Sequence, residues 1–211
     1  MVVASAFAVR AEDLSKYRMF VLGADLPRVV KLAGKKLTDV ETIEGRPALI
    51  QILSWKPAKT GGIPGSVDRI VFIFYEGELY KISVTYDPNL TEGLTPEDVT
   101  KAVSEKYGPV TNVGRADEPT AEDAFGVRQN FVASWEDARF SVNLLHSSFS
   151  GRFGLILYSK QVSAEAEAGL AEAVRGPEEG EWGLEGRSIP QKKEGKDLEM
   201  TRQKNLKKFE P

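Results

Sequence analysis

Residues 68–87, DRIVFIFYEGELYKISVTYD, decide the fold. Ile70 to Tyr75 is apolar at every position, which reads as a strand buried on both faces. Glu76-Gly77 supplies a two-residue turn, and Leu79 to Tyr86 then alternates. Simple alternation puts Tyr80, Ile82, Val84 and Tyr86 on one face and Lys81, Ser83 and Thr85 on the other. The stretch is therefore an antiparallel hairpin, and the chain around it should supply the rest of a sheet.

Working outward, PALIQILSW (47–55) is a strand closing on Ser54-Trp55, and RQNFVASW (128–135) is another closing on Ser134-Trp135. ARFSVNLLH (138–146) puts Phe140, Val142 and Leu144 on one face and Ser141 and Asn143 on the other. A turn at Ser150-Gly151 leads into RFGLILYSK (152–160). Each group of strands is preceded by a helix. In GADLPRVVKLAG (23–34), Asp25 is the N-cap, Leu26, Val29, Val30 and Ala33 form the apolar stripe, and Gly34 is the stop. In TPEDVTKAVSEKYGP (95–109), Thr95 and Asp98 make a capping box around Pro96, and Val99, Ala102, Val103 and Tyr107 form the stripe before Gly108-Pro109.

The order helix, glycine, irregular stretch, Ser-Trp strand, strand, turn, strand thus occurs twice, which predicts a duplicated unit. The expected class is α+β: an antiparallel sheet of two tandem helix–strand–strand–strand units, with the helices packed on one face. A C-terminal helix (SAEAEAGLAEAVR, 163–175, capped by Ser163) and a charged tail complete it. The boundaries expected are 12–94 and 95–175 for the units. Residues 176–211, poor in apolar side chains and rich in charge, form a tail outside the core, flexible or helical. Val2 to Val9 is a short apolar run before Val-Arg-Ala, so 1–11 reads either as the remnant of a secretory signal or as an ordinary first strand.

Composition excludes much chemistry. The 211 residues contain no cysteine, which removes disulfides, thiolate nucleophiles, thiolate metal sites and lipid attachment through cysteine. A single histidine, His146, rules out a metal site of several imidazoles within one chain. A net charge of −3 offers no general attraction for nucleic acid, and no run is long enough to span a membrane. No G-x-S-x-G is present, and KTGGIPGS (59–66) lacks the order of a phosphate loop. The carboxylate pairs Glu122-Asp123 and Glu136-Asp137 fall in expected turns, where such residues serve the backbone. The chain is therefore expected to be non-catalytic, with no metal and no cofactor.

The candidate site is a sheet face left open by the helices, carrying Lys81, Ser83, Thr85, Ser141 and Asn143. Parity leaves Trp55 and Trp135 open either to that face, as contact residues for a partner, or to the core.

The stretch FVLGADLPRVVKLAG (20–34) resembles the opening of the SmpA/OmlA outer-membrane lipoprotein family and of β-lactamase inhibitor proteins. The similarity is carried by Phe20, Leu22, Gly23, Val29 and Gly34. The hairpin from Phe74 to Asp87 is similar to that of uncharacterised bacterial envelope proteins. The resemblance implies tandem helix-and-strand units and a periplasmic or secreted bacterial location. The chain departs from both families in having no cysteine, so neither a lipoprotein anchor nor the inhibitors' disulfides are expected. The expected function is an exported binding module that engages a protein or an envelope component over the open sheet face. The alternative is a carrier holding a small molecule or lipid between sheet and helices.

Overall fold

The computed structural model describes residues 13–45, 49–57, 66–114, 119–122, 128–147, 150–174, 195–207, 209 and 211. Two short strands, β1 (Lys16–Tyr17) and β2 (Phe20–Val21), precede α1 (Leu26–Leu32). Strands β3 (Glu41–Glu44), β4 (Ile50–Trp55), β5 (Val67–Tyr75) and β6 (Glu78–Tyr86) follow, then α2 (Pro96–Tyr107). After it come β7 (Asn112–Val113), β8 (Pro119–Glu122), β9 (Arg128–Glu136), β10 (Phe140–Ser147) and β11 (Arg152–Ser159). The chain closes with α3 (Lys160–Val174) and α4 (Gly195–Leu206). The fold is α+β. One antiparallel sheet runs in the order β3-β4-β5-β6-β11-β10-β9-β7, with β8 paired to another part of β9. The first half of the chain thus builds one side of the sheet and the second half the other, meeting where β6 pairs with β11.

The hairpin at the centre forms as its sequence dictates. Glu76 (φ 50°) and Gly77 (φ 80°) both take positive φ, the geometry of the turn whose twist matches the flanking strands. Its tip receives the loop before α1: Gly23 N–H donates to Leu79 O at 2.8 Å and Leu79 N–H to Ala24 O at 2.9 Å. At this point the ladder slips. Phe74 pairs with Leu79 but Ile73 with Lys81, so Tyr80 is an extra residue. The slip overturns the expected face of Tyr80. Instead of joining Ile82, Val84 and Tyr86 in the main core, it packs on the far face with Ile50 and Ala166.

Both predicted caps are present. Asp25 accepts from Arg28 N–H at 2.8 Å, and Thr95 and Asp98 form the reciprocal box. Their stripes (Val29 and Val30; Val99, Val103 and Tyr107) pack with Phe20, Leu53, Phe72, Val142 and Leu157 in one continuous core on one side of the sheet. The third helix departs from expectation twice. It starts at Lys160 directly from β11, capped by Ser159, whose hydroxyl accepts from Val162 N–H at 3.4 Å; Ser163 is buried inside it. It also packs on the opposite face, placing Ala166 against Ile50 and Tyr80. The helices therefore do not share one face, because alternation left Ile50, Ile73, Tyr75 and the displaced Tyr80 as an apolar patch there that needed cover.

The tail also departs from its reading as chain outside the core. Phe209 is only 8% exposed and lies 5.0 Å from the Tyr86 ring. Composition averaged over the tail conceals this apolar anchor. The candidate signal remnant at 1–11, the loop residues 59–65 and the stretch 176–194 lie outside the described residues.

Candidate functional site: a cleft between helix and sheet

Helix α2 turns its buried stripe squarely onto the sheet, which leaves the flank carrying Pro96, Glu97, Thr100 and Lys101 overhanging the β9 side. Beneath that flank is a cleft of about 460 Å³, walled by Val113, Gly114 and the β9 segment Asn130–Ala133, with His146 among the lining residues. Its size is that of a pocket for a small organic ligand. The surface lining it is mostly apolar, although Thr100, Asn130 and His146 are among its residues and Glu97 and Lys101 are exposed on the helix flank.

Local irregularities shape it. In the β9–β10 ladder Ala133 pairs with Leu144 but Phe131 with Leu145, so Val132 is an extra residue and β9 bends there. On the other side, Gly114 N–H donates to Val132 O at 2.7 Å. A Cβ on Gly114 would stand 2.0 Å from Phe131 O, so only glycine permits this approach. The hydroxyl of Thr100 is already engaged, donating to Pro96 O at 2.7 Å.

His146 lies on the core side of β10, in the parity of Val142 and Leu144, with its ring stacked on Phe153 at 4.5 Å. Burial pushes its pKa below 6.5, so at neutral pH the imidazole is uncharged, with one ring nitrogen a donor and the other an acceptor. Neither nitrogen has a hydrogen-bond partner among the described residues. Among those same residues no group of three or more His, Cys, Asp or Glu side chains could hold a metal ion. Among the described residues no helix is long and apolar enough to cross a membrane.

The residues singled out from sequence divide between the two faces. Lys81, Ser83, Thr85, Ser141 and Asn143 do share the face opposite the main core: Ser83 and Asn143 both pair with Ile156, and Lys81 and Ser141 both pair with Tyr158. That face is only partly open. Ser83 and Ser141 are buried, and the Ser141 hydroxyl donates to Asn143 Oδ1 at 3.0 Å. Lys81 lies 5.6 Å from the Tyr80 ring, with its pKa lowered by burial and held up in part by Glu167 of α3. The two tryptophans do not join them. Trp55 pairs with Ile70 and Trp135 with Val142, both core residues, so both indoles stand on the helix side. Trp135 is 1% exposed and its Nε1–H donates to Gly108 O at 2.9 Å. Trp55 is half-buried against Phe20 and Phe72.

Of the carboxylate pairs, Asp137 serves its turn, accepting from Arg139 and Phe140 N–H at 2.7 Å each. Glu136 accepts from Lys160 Nζ at 2.7 Å, with its pKa lowered chiefly by that bond. Asp123 lies outside the described residues. The cleft itself was legible only as a polar residue, His146, at a core-facing position of an apolar strand. No family model, no curated protein and no solved structure matches the chain.

Proposed function

We propose that the protein is a non-catalytic binding protein that holds a small amphipathic ligand between α2 and β9. The apolar body of the ligand lies against Val113, Phe131 and Val132, and its polar group meets the neutral imidazole of His146. One observation carries the reading: a cleft of about 460 Å³, mostly apolar, with a histidine in its wall that no described residue satisfies. Of the two functions expected from sequence, this supports the carrier. The sheet-face module has lost both aromatic contacts, and two of its polar residues are buried.

The test is titration with a fluorescent amphiphile such as anilinonaphthalene sulfonate, followed by displacement with fatty acids of increasing length. Saturable binding that shifts the His146 Hε1 resonance, and that a Thr100→Trp substitution abolishes with the fold intact, is the expected result. A Thr100→Trp protein that binds as well as the parent rules the cleft out.

The duplicated unit belongs with this reading. What supports it is the element order: the first half runs helix, β3, Ser-Trp strand and hairpin, the second helix, β7, β8, Ser-Trp strand and hairpin, and the halves meet at β6 and β11. If the halves are units, a circular permutant opened at Gly93 should fold; a collapsed permutant counts against duplication. Export, on this proposal, follows from the apolar run Val2 to Val9, and fractionation of the native host checks it.

A further inference from the structure

Among the described residues, the segment 195–211 is fastened at Arg202, Asn205, Phe209 and Pro211. Arg202 forks onto Asp98, Nε to Oδ2 at 2.7 Å and Nη2 to Oδ1 at 2.9 Å. Asn205, 4% exposed, donates from Nδ2 to two backbone carbonyls, Asn89 O at 3.2 Å and Glu92 O at 3.1 Å. Phe209 packs on Tyr86, and Pro211 O accepts from Lys106 Nζ at 3.2 Å. Part of the receiving surface is placed independently of the segment: Asp98 by its capping box, and residues 87–94 by their own turns, including Asn89 N–H to Asp87 Oδ1 at 2.9 Å. The segment is the dependent partner. A twelve-residue helix, GKDLEMTRQKNL, with so little apolar surface does not hold its shape alone in water, so it is ordered by the groove.

We propose that the groove formed by Tyr86, residues 87–94 and the first turn of α2 is a docking site for a helical peptide carrying arginine, asparagine three residues on and an aromatic four further. The chain's own 195–211 segment is the resident occupant, and the same segment of a second copy is the partner. A second copy presents the same side chains in the same order, so it satisfies every contact. Charge complements as well: the arginine meets a carboxylate whose pKa its own hydrogen bond holds at about 2. Residues 175–194, a stretch of twenty, separate α3 from α4, and a chain of that length spans at most about 70 Å. The tether therefore allows docking in the same molecule or a neighbouring one, with the intramolecular mode favoured by effective concentration.

The experiment uses the full chain and a fluorescein-labelled synthetic peptide of residues 195–211, read by anisotropy. Full-length Arg202→Ala, whose resident segment is weakened, should bind the wild-type peptide at least about tenfold more tightly than the wild-type chain does. Peptides carrying Arg202→Ala or Phe209→Ala should lose about tenfold or more on the same protein; these variants leave the protein untouched, so misfolding cannot account for the loss. Full-length Phe209→Ala provides a second receiver with a weakened occupant. The proposal is overturned if neither receiver, folded by circular dichroism, binds the peptide at millimolar concentration, or if the altered peptides bind as well as the parent.

Discussion

Trp55 ends β4 and Trp135 is the penultimate residue of β9, each following a serine, and both indoles stand on the side of the main core, yet their surroundings differ. Trp135 lies under the C-terminal end of α2, where Gly108 (φ 89°) turns its carbonyl to accept the indole N–H. Trp55 lies near the edge of the sheet, with Phe20 of the short β1–β2 hairpin 5.5 Å away and Phe72 stacked at 6.3 Å. A long helix covers one and a two-residue strand the other. The same residue type near the end of a strand thus becomes a buried strut in the second half and a half-exposed aromatic in the first. The first half is closed by aromatic packing. The second half uses polar fastenings: Trp135 to Gly108, and Arg202 to Asp98.

This contrast breaks most readily at the tryptophans. Trp135→Ala should cost about 3–5 kcal/mol in denaturant unfolding, and Trp55→Ala about 1–2 kcal/mol, in line with its half exposure. Equal costs would remove the distinction between strut and edge. Next in size is Gly114→Ala, expected to cost about 1–3 kcal/mol, because the backbone of β7 or β9 must shift to admit the methyl group. The same shift should weaken binding of a cleft ligand, read by the fluorescence titration. Gly34→Ala is the first-half control for steric fit: nothing lies within 4 Å of its Cβ position, and its cost should come from positive φ alone.

Arg202→Ala should cost about 1 kcal/mol, since the pair is partly exposed. It should also change the acid limb of the stability curve. Asp98 is held at about 2, below its ordinary 3.8, chiefly by the Arg202 hydrogen bonds. Its stabilising contribution is fully present above pH 3.8 and is lost as pH falls toward 2. Without Arg202 that part of the acid slope should flatten. The smallest effect is at His146. Burial lowers its pKa, so the unfolded chain takes up a proton first, and stability should decline as pH falls below 6.5. The lone Hε1 resonance should titrate with a midpoint below 6.5, and His146→Phe should remove that decline. A midpoint at or above 6.5 would mean the imidazole is not in the apolar wall.

Much of the fold was legible because its signals are local. The Glu76-Gly77 turn, the Asp25 and Thr95 caps and the Gly108 stop each act within a few residues, and each appears where its sequence put it. Short strands such as β3, β7 and β8 left no periodicity long enough to read. The bulge at Tyr80 arises where a distant loop, Gly23-Ala24, engages Leu79, and no pattern within the strand announces it. The cleft was harder still, since it is the space between a helix flank, a bent strand and a glycine that lies flat against a carbonyl.

What the amino-acid sequence determined by itself was the set of elements and their polarity, because turn chemistry, capping and periodicity are properties of neighbours along the chain. The tertiary structure alone decided which side of the sheet α3 covers and that both tryptophans face the core. It also decided that a charged tail returns to seat Phe209 on Tyr86. Those outcomes depend on which apolar surface remains unburied once the local elements have formed, and residues far apart in the chain compete to cover it.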